Sequence, residues 1–365
     1  MARKNEQELI ELVSTRARAY LKLPNVTSVG VGRRIKDGKS TDELCIQFTV
    51  GKKLAPELVA AAGLTMLPER IIAEDGTPVT VDVVERSYAP SYRIVEPAPL
   101  ALLEPESLAP AQARLRRLDP IQPGISVAHV TETAGTIGGI VFDIANGTPY
   151  ILSNWHVLHG PAGNVGDVVV QPGPFDDANT SANGVGRLVR SHLGVAGDCA
   201  VASIVGRRFD SRPFELNVAP QRIAQPNVDD LVTKSGRTTG VTFGVVRRTG
   251  VIANIDYGGA IGVRQVGGFE IGPNSRKPAA DGEISSGGDS GSSWVIDGAA
   301  DVVVGLHFAG ETNPRPSEEH ALACNIQSVL EKLQVTFVQP RPEQAAERLR
   351  GAARSRPKAT ARRVS

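Results

Sequence analysis

The sequence predicts a mainly β protein: two small barrels of short strands, preceded by a small α+β module and closed by a C-terminal helix. Three observations carry this. Gly and Pro are frequent, 38 and 25 of 365 residues, and punctuate Val-rich runs in the way of strands and turns. From about residue 124 to 312 such runs recur between Gly-rich turns, which is the pattern of a barrel or sandwich, and their number fits two barrels. Outside that range the pattern changes on both sides.

Residues 5 to 22 place Leu9, Ile10, Leu12, Val13, Tyr20 and Leu21 among charges, a helical pattern with one face to bury. Two strand-like runs then flank Asp37-Gly38, the second alternating Leu44, Ile46, Phe48 and Val50, which predicts a hairpin. With a further strand at 77 to 87, residues 1–88 form the α+β module. Gly30 and Gly32 make a lone G-x-G with no helix after it, so no nucleotide site is expected. Residues 89–123 hold seven prolines and read as a linker. The barrel runs are "GTIGGIVFD", "PYILSNWHVL", "GDVVVQP", "DCAVASI", "DLVTKSGRTTGVTFGVVRRTGVIANI", "SSWVI" and "DVVVGLHFAG". An amphipathic helix near 318 to 333, with Leu322, Ile326, Val329, Leu330 and Leu333 on one side, completes a domain spanning 124–338. The tail, 339–365, is basic and expected to be disordered.

A net charge of +1 gives no argument for nucleic acid or membrane binding, and no apolar run is long enough to span a bilayer. Cys45, Cys199 and Cys324 are too few and too scattered for a disulfide framework or a four-ligand zinc site. A cytoplasmic protein without metal or cofactor is the simplest expectation.

A serine hydroxyl becomes a useful nucleophile when a base takes its proton and a carboxylate orients that base. Of six histidines, His156 follows a strand-like run in "LSNWHVL", where neighbouring apolar side chains would lock its ring. Asp198 opens an apolar run in "AGDCAVASI", where a carboxylate needs a hydrogen-bonded partner. Ser290 lies in "GGDSGS", whose glycines let backbone N–H groups turn toward a reacting carbonyl. His159 has no acidic or Cys ligand at a supporting spacing, and Arg237 reads as a turn residue. The chain order His, Asp, Ser is that of chymotrypsin-like double barrels and excludes the α/β-hydrolase order.

Residues from about 124 to 312 resemble the trypsin-like serine protease superfamily: "SNWHVL", "DCAVA" and "GDSGSS" match its three catalytic blocks in order, 42 and 92 residues apart (198 minus 156; 290 minus 198). The match is closest to bacterial proteases carrying "SGRTTG". The whole chain, with "VTSVGVG" and "QPGISVAHVTETAGTIGGIVFD", resembles bacterial proteins related to the plant Narrow Leaf 1 type of protease. The resemblance implies a chymotrypsin-like double β-barrel and a serine endopeptidase acting on proteins or peptides. It implies His156 as base and then acid, Asp198 as its orienting carboxylate, Ser290 as nucleophile, and the N–H groups of Gly288 and Ser290 as the oxyanion hole. Lys234 would pair with Asp289, replacing the freshly cleaved amino terminus of animal relatives; a surface Lys and a solvated Asp are the alternative. His307 and Ser285 would line the S1 pocket, with Ile284 removing the acidic floor that selects Lys and Arg, so that P1 is Glu or Gln; a His that only satisfies a neighbouring hydroxyl is the alternative. Phe308 stands where a Ser often supports the catalytic Asp. The amino-terminal module would dock on the barrels, recruit substrate, drive homo-oligomer assembly, or restrain the site until a cut at Glu106-Ser107. The rival reading is a catalytically silent peptide-binding or assembly module.

Overall fold

The computed structural model describes residues 4–90, 110–280, 282–312 and 319–340. The protein is mainly β, and its two sheets form a chymotrypsin-like double β-barrel. In the first, strands Ser126–His129, Gly139–Asp143, Pro149–Ser153, Val168–Val170, Gly184–Gly194 and Gly197–Ser203 pair antiparallel with their neighbours into an open barrel. Ile125, Val127, Ile140, Ile151, Val169, Leu188 and Ala202 fill it. In the second, Leu231–Gly236, Gly240–Asp256, Val263–Pro273, Ala321–Asn325, Ala299–Glu311 and Ser293–Ile296 follow one another around a ring that closes where the last pairs with the first. Its interior holds Val232, Val246, Phe269, Ile271, Trp294, Val304 and Ala323.

The amino-terminal module continues the second sheet. Strand Val26–Lys36 pairs with Lys39–Val50 through a turn in which Asp37 (φ 51) and Gly38 (φ 74) both take positive φ, the geometry that matches strand twist in a two-residue hairpin. The same strand pairs on its other side with Gly240–Asp256, whose 17 residues serve the barrel at one end and the module at the other. Gly30 and Gly32 permit this contact: a Cβ on either would lie 2.7 Å from a side-chain carbon of Val251 or Arg248. Their role is close approach of backbone. Helix Glu6–Thr15, opened by a capping box of Asn5 and Glu8, places Leu9, Leu12 and Val13 in a core with Val29, Val31, Ile46 and Phe48. After Thr15 the helical pattern tightens into a 3-10 turn, Ala17–Lys22.

A buried ionic cluster ties module to barrel. Arg248 donates to Glu270 (Nε to Oε2, 3.0 Å), to the Ser28 hydroxyl (3.0 Å) and to the Gln47 carbonyl (3.3 Å), while Arg86 donates to Glu270 Oε1 at 2.8 Å. Burial acts to raise the Glu270 pKa, but Arg248 and Arg86 outweigh it and hold the carboxyl far below the usual carboxylate range.

Two sequence expectations change. The linker reading of 89–123 does not hold for its last part. Arg114 is fully buried, donating to the Gly124 carbonyl at 2.7 Å and the Ser235 hydroxyl at 2.8 Å, and Ile121 belongs to the first barrel's core. The helix expected near 318 to 333 is strand Ala321–Asn325 followed by helix Ile326–Leu333. "ALACN" is inserted between two barrel strands and buried on both faces, and so short an apolar run has no periodicity to separate it from a helix. Glu106-Ser107, with the rest of 91–109, and the tail from residue 341 lie outside the described residues.

Candidate active site

The first barrel joins His156 to Asp198, and the Ser290 loop of the second barrel packs against Gly135 and Val157, next to His156. Strand Pro149–Ser153 ends at Asn154, and the short helix Trp155–Leu158 follows, carrying His156. Asp198 stands near the start of Gly197–Ser203, which pairs with Pro149–Ser153. His156 Nδ1 lies 2.5 Å from Asp198 Oδ2, and the His156 amide donates to Asp198 Oδ1 at 3.2 Å. A carboxylate only accepts, so Nδ1 carries the proton and Nε2 presents its lone pair. Two further groups fix Asp198: the Tyr257 hydroxyl donates to Oδ2 at 2.7 Å, and Asn154 Nδ2 donates to the Asp198 carbonyl at 2.7 Å. Phe308, 1 % exposed, packs in the apolar cluster beside them, so Tyr257 gives the support for which the sequence offered no Ser.

Ser290 belongs to the second barrel but its loop is fastened to the first. The Thr136 amide donates to the Ser290 carbonyl at 2.8 Å, and a Cβ on Gly135 would meet that carbonyl at 3.0 Å and Val157, next to His156, at 2.5 Å. Ser290 is 1 % exposed and its Oγ has no hydrogen-bond partner among the described residues. Gly288 (φ +97) and Gly291 (φ +95) bracket the serine in a backbone region that side chains rarely adopt. Among the described residues, the N–H groups of Gly288 and Ser290 donate to no acceptor, whereas Asp289 N–H is satisfied by the Ser286 carbonyl at 3.0 Å.

Asp289 is buried completely. It accepts from Lys234 Nζ (3.1 Å), the Thr239 hydroxyl (2.6 Å) and the amides of Thr238 (2.8 Å), Thr239 (3.1 Å) and Ser286 (3.0 Å). Burial pushes its pKa up, but Lys234 and these donors prevail and hold it at about 2. Lys234 is 0 % exposed and lies 5.7 Å from the Trp294 ring centroid.

His307 is fully buried, edge-on to Trp294, with neither ring nitrogen partnered among the described residues. Burial, and then the Lys234 charge, take its pKa down to about 3, which keeps it neutral. Ser285 does not stand free: its hydroxyl donates to Glu319 Oε1 at 2.7 Å, and the amides of Ile284 and Ser285 donate to Oε2 at 2.7 and 3.2 Å. Ile284 is 1 % exposed, its side chain in the second barrel's core. Burial raises the Glu319 carboxyl to about 7 in spite of those donors.

Solved structures similar to this one are bacterial serine proteases. Thermobifida fusca protease A matches at 18 % identity over 60 % of this chain and 100 % of its own, with TM-score 0.44. Cellulomonas bogoriensis chymotrypsin matches at 15 % identity over 60 % of this chain and 100 % of its own, TM-score 0.42. A glutamic acid specific serine protease, described as using a novel histidine triad in substrate binding, matches at 16 % identity over 59 % and 99 %, TM-score 0.42. No protein-family model and no curated protein matches the chain.

Sequence reading missed Tyr257, Glu319 and the pairing of Arg237 with Asp176. Arg237 is 2 % exposed; its Nε donates to Asp176 Oδ2 at 3.1 Å and its Nη2 to Oδ1. Tyr257 is 59 residues from Asp198 and Glu319 is 34 from Ser285, so no local pattern joins them. His159 stacks on Trp155 at 5.1 Å and places Nδ1 2.6 Å from the Gly160 carbonyl. The three cysteines are buried thiols, and no described helix is long and apolar enough to cross a membrane.

Proposed function

We propose that this chain is a serine endopeptidase. The reading rests on one observation above all: an imidazole locked to a buried carboxylate beside a serine whose own loop presents two orphan N–H donors. In the proposed reaction Ser290 Oγ attacks the scissile carbonyl as its proton passes to His156 Nε2. The negative charge that develops on the carbonyl oxygen is met by Gly288 and Ser290 N–H, each such donor contributing about 3–4 kcal/mol to catalysis. His156 then gives its proton to the leaving amine, and water repeats the sequence on the acyl-enzyme to release the acid and restore Ser290. Tyr257 and the His156 amide keep Asp198 oriented while the imidazolium forms. Lys234 supplies the cation for Asp289 from within the chain, so assembly of the site needs no cleavage.

For P1 the reading is Glu or Gln, with the amide favoured above pH 7. Support comes from His307, whose two orphan nitrogens call for a polar partner. Glu319 sharpens the choice, because its carboxyl already occupies the Ser285 hydroxyl and ionises near pH 7, repelling a carboxylate at P1. The test is a pair of peptides differing only in Gln or Glu at P1. Cleavage should disappear in Ser290→Ala, and the Gln-to-Glu ratio of kcat/KM should rise between pH 5.5 and 8.5 in the wild type and stay flat in Glu319→Gln. A flat ratio in the wild type contradicts the pocket, and equal cleavage by Ser290→Ala contradicts the enzyme.

A further inference from the structure

The peptide that carries the Gly288 N–H is held from behind by a chain of side chains. The Thr238 hydroxyl donates to the Gly287 carbonyl at 2.6 Å. The Gly287-Gly288 bond is trans, so its carbonyl and its N–H point in opposite directions, and fixing one fixes the other. Ser290 N–H is set in the same way, because Asp289 O accepts from the Ser292 amide at 3.0 Å. The difference is that the second restraint is backbone and the first is one hydroxyl.

That hydroxyl is itself directed. Arg237 Nη1 lies 3.0 Å from Thr238 Oγ1, and a guanidinium only donates. Thr238 must accept there, which leaves its single proton for Gly287 O. Arg237 is in turn aimed by Asp176 through two hydrogen bonds, with side chains 2 % and 0 % exposed, and lies over the Phe175 ring at 5.5 Å. The Thr238 amide is pinned to Asp289 Oδ1 at 2.8 Å, so the two loops cannot slide past one another. Gly288, at φ +97, has no side chain to bar the preceding peptide from turning, while its own carbonyl, on the following peptide, accepts from the Thr136 hydroxyl at 2.8 Å.

We propose that Thr238, directed by Arg237 and Asp176, is the positioning residue that keeps the Gly288 N–H turned toward the reacting carbonyl. The inference rests on the endopeptidase reading above. Without the hydroxyl, the peptide turns over and one of the two oxyanion donors is lost for part of the time.

The experiment measures labelling of the full chain by a fluorophosphonate–rhodamine probe, whose phosphoryl oxygen uses the same donors, separated into kinact and KI. Thr238→Val, nearly isosteric, should lower kinact about 10- to 100-fold, the scale expected for weakening one oxyanion donor, with KI unchanged. Thr238→Ser should restore kinact to near the wild-type rate, and Arg237→Met should fall in the same direction as Thr238→Val. A thermal melt on each variant shows whether the fold is kept. Wild-type kinact in Thr238→Val, or equal losses in the Val and Ser variants, overturns the proposal while leaving the endopeptidase reading in place. A wild type that the probe never labels overturns both.

Discussion

At the scale of single residues, the site is a set of polar groups that burial makes expensive and pairing makes stable. Asp198 has no exposure at all, and three donors, two from His156 and one from Tyr257, converge on its carboxylate. Tyr257 is the one among them that packing could spare. Tyr257→Phe removes a hydrogen bond to a charged acceptor, worth about 1.5–3 kcal/mol, while keeping the ring against Trp155. The variant should lower kcat/KM about tenfold with KM unchanged, because the lost bond steadies the carboxylate as its partner gains charge. Steady-state kinetics on the P1 Gln peptide measures this, and an unchanged kcat/KM would remove Tyr257 from the mechanism. The residues that local motifs mark are those close in sequence to a Gly-rich turn or a strand end: His156, Asp198, Ser290 and their neighbours. Tyr257 and Glu319 carry no such mark, since a tyrosine after a long strand and a glutamate in a Pro- and Glu-containing stretch are ordinary there.

At the scale of elements, the long strand Gly240–Asp256 is where the chain's parts are joined. Its first residues build the barrel and its later ones receive the module, so Arg248, near the change of partner, sits in the buried seam. Arg248→Met leaves Glu270 buried with less compensation, and should lower the unfolding free energy by about 3–5 kcal/mol in a guanidinium titration. Replacing Arg86, Arg248 and Glu270 together by Met should recover much of the loss, since an apolar set needs no counter-charge. A single variant as stable as the wild type would contradict the seam's role. Strands such as Pro149–Ser153 were readable from apolar runs between turns, and the Asp37-Gly38 hairpin from its turn residues. Gly184–Gly194 was not, because Arg187, Arg190 and His192 break any alternation, and neither was Val263–Pro273, where Gly267 and Gly268 interrupt the pattern at mid-strand. Both are held by their neighbours in the sheet, which is information that a single strand's sequence does not contain.

For the whole molecule, the amino-terminal module is part of the second barrel's sheet. Strand Val26–Lys36 and the segment Tyr88–Pro90, which pairs with Ala299–Glu311, both reach barrel strands, and the latter pairing ends close to His307. The module is thus placed to act on the shape of the barrel that bears the nucleophile. In the proposed enzyme the first barrel would supply base and carboxylate and the second nucleophile and oxyanion donors, and Thr136 and Thr238 hold the loop between them. The central claim is that this loop makes Ser290 reactive. Its most direct measurement is intact-protein and peptide mass spectrometry after exposure to a fluorophosphonate. The account predicts one adduct per chain, located on Ser290 and absent from Ser290→Ala and His156→Ala. An unmodified Ser290 after prolonged exposure of folded protein, or an adduct that persists in Ser290→Ala, would contradict it.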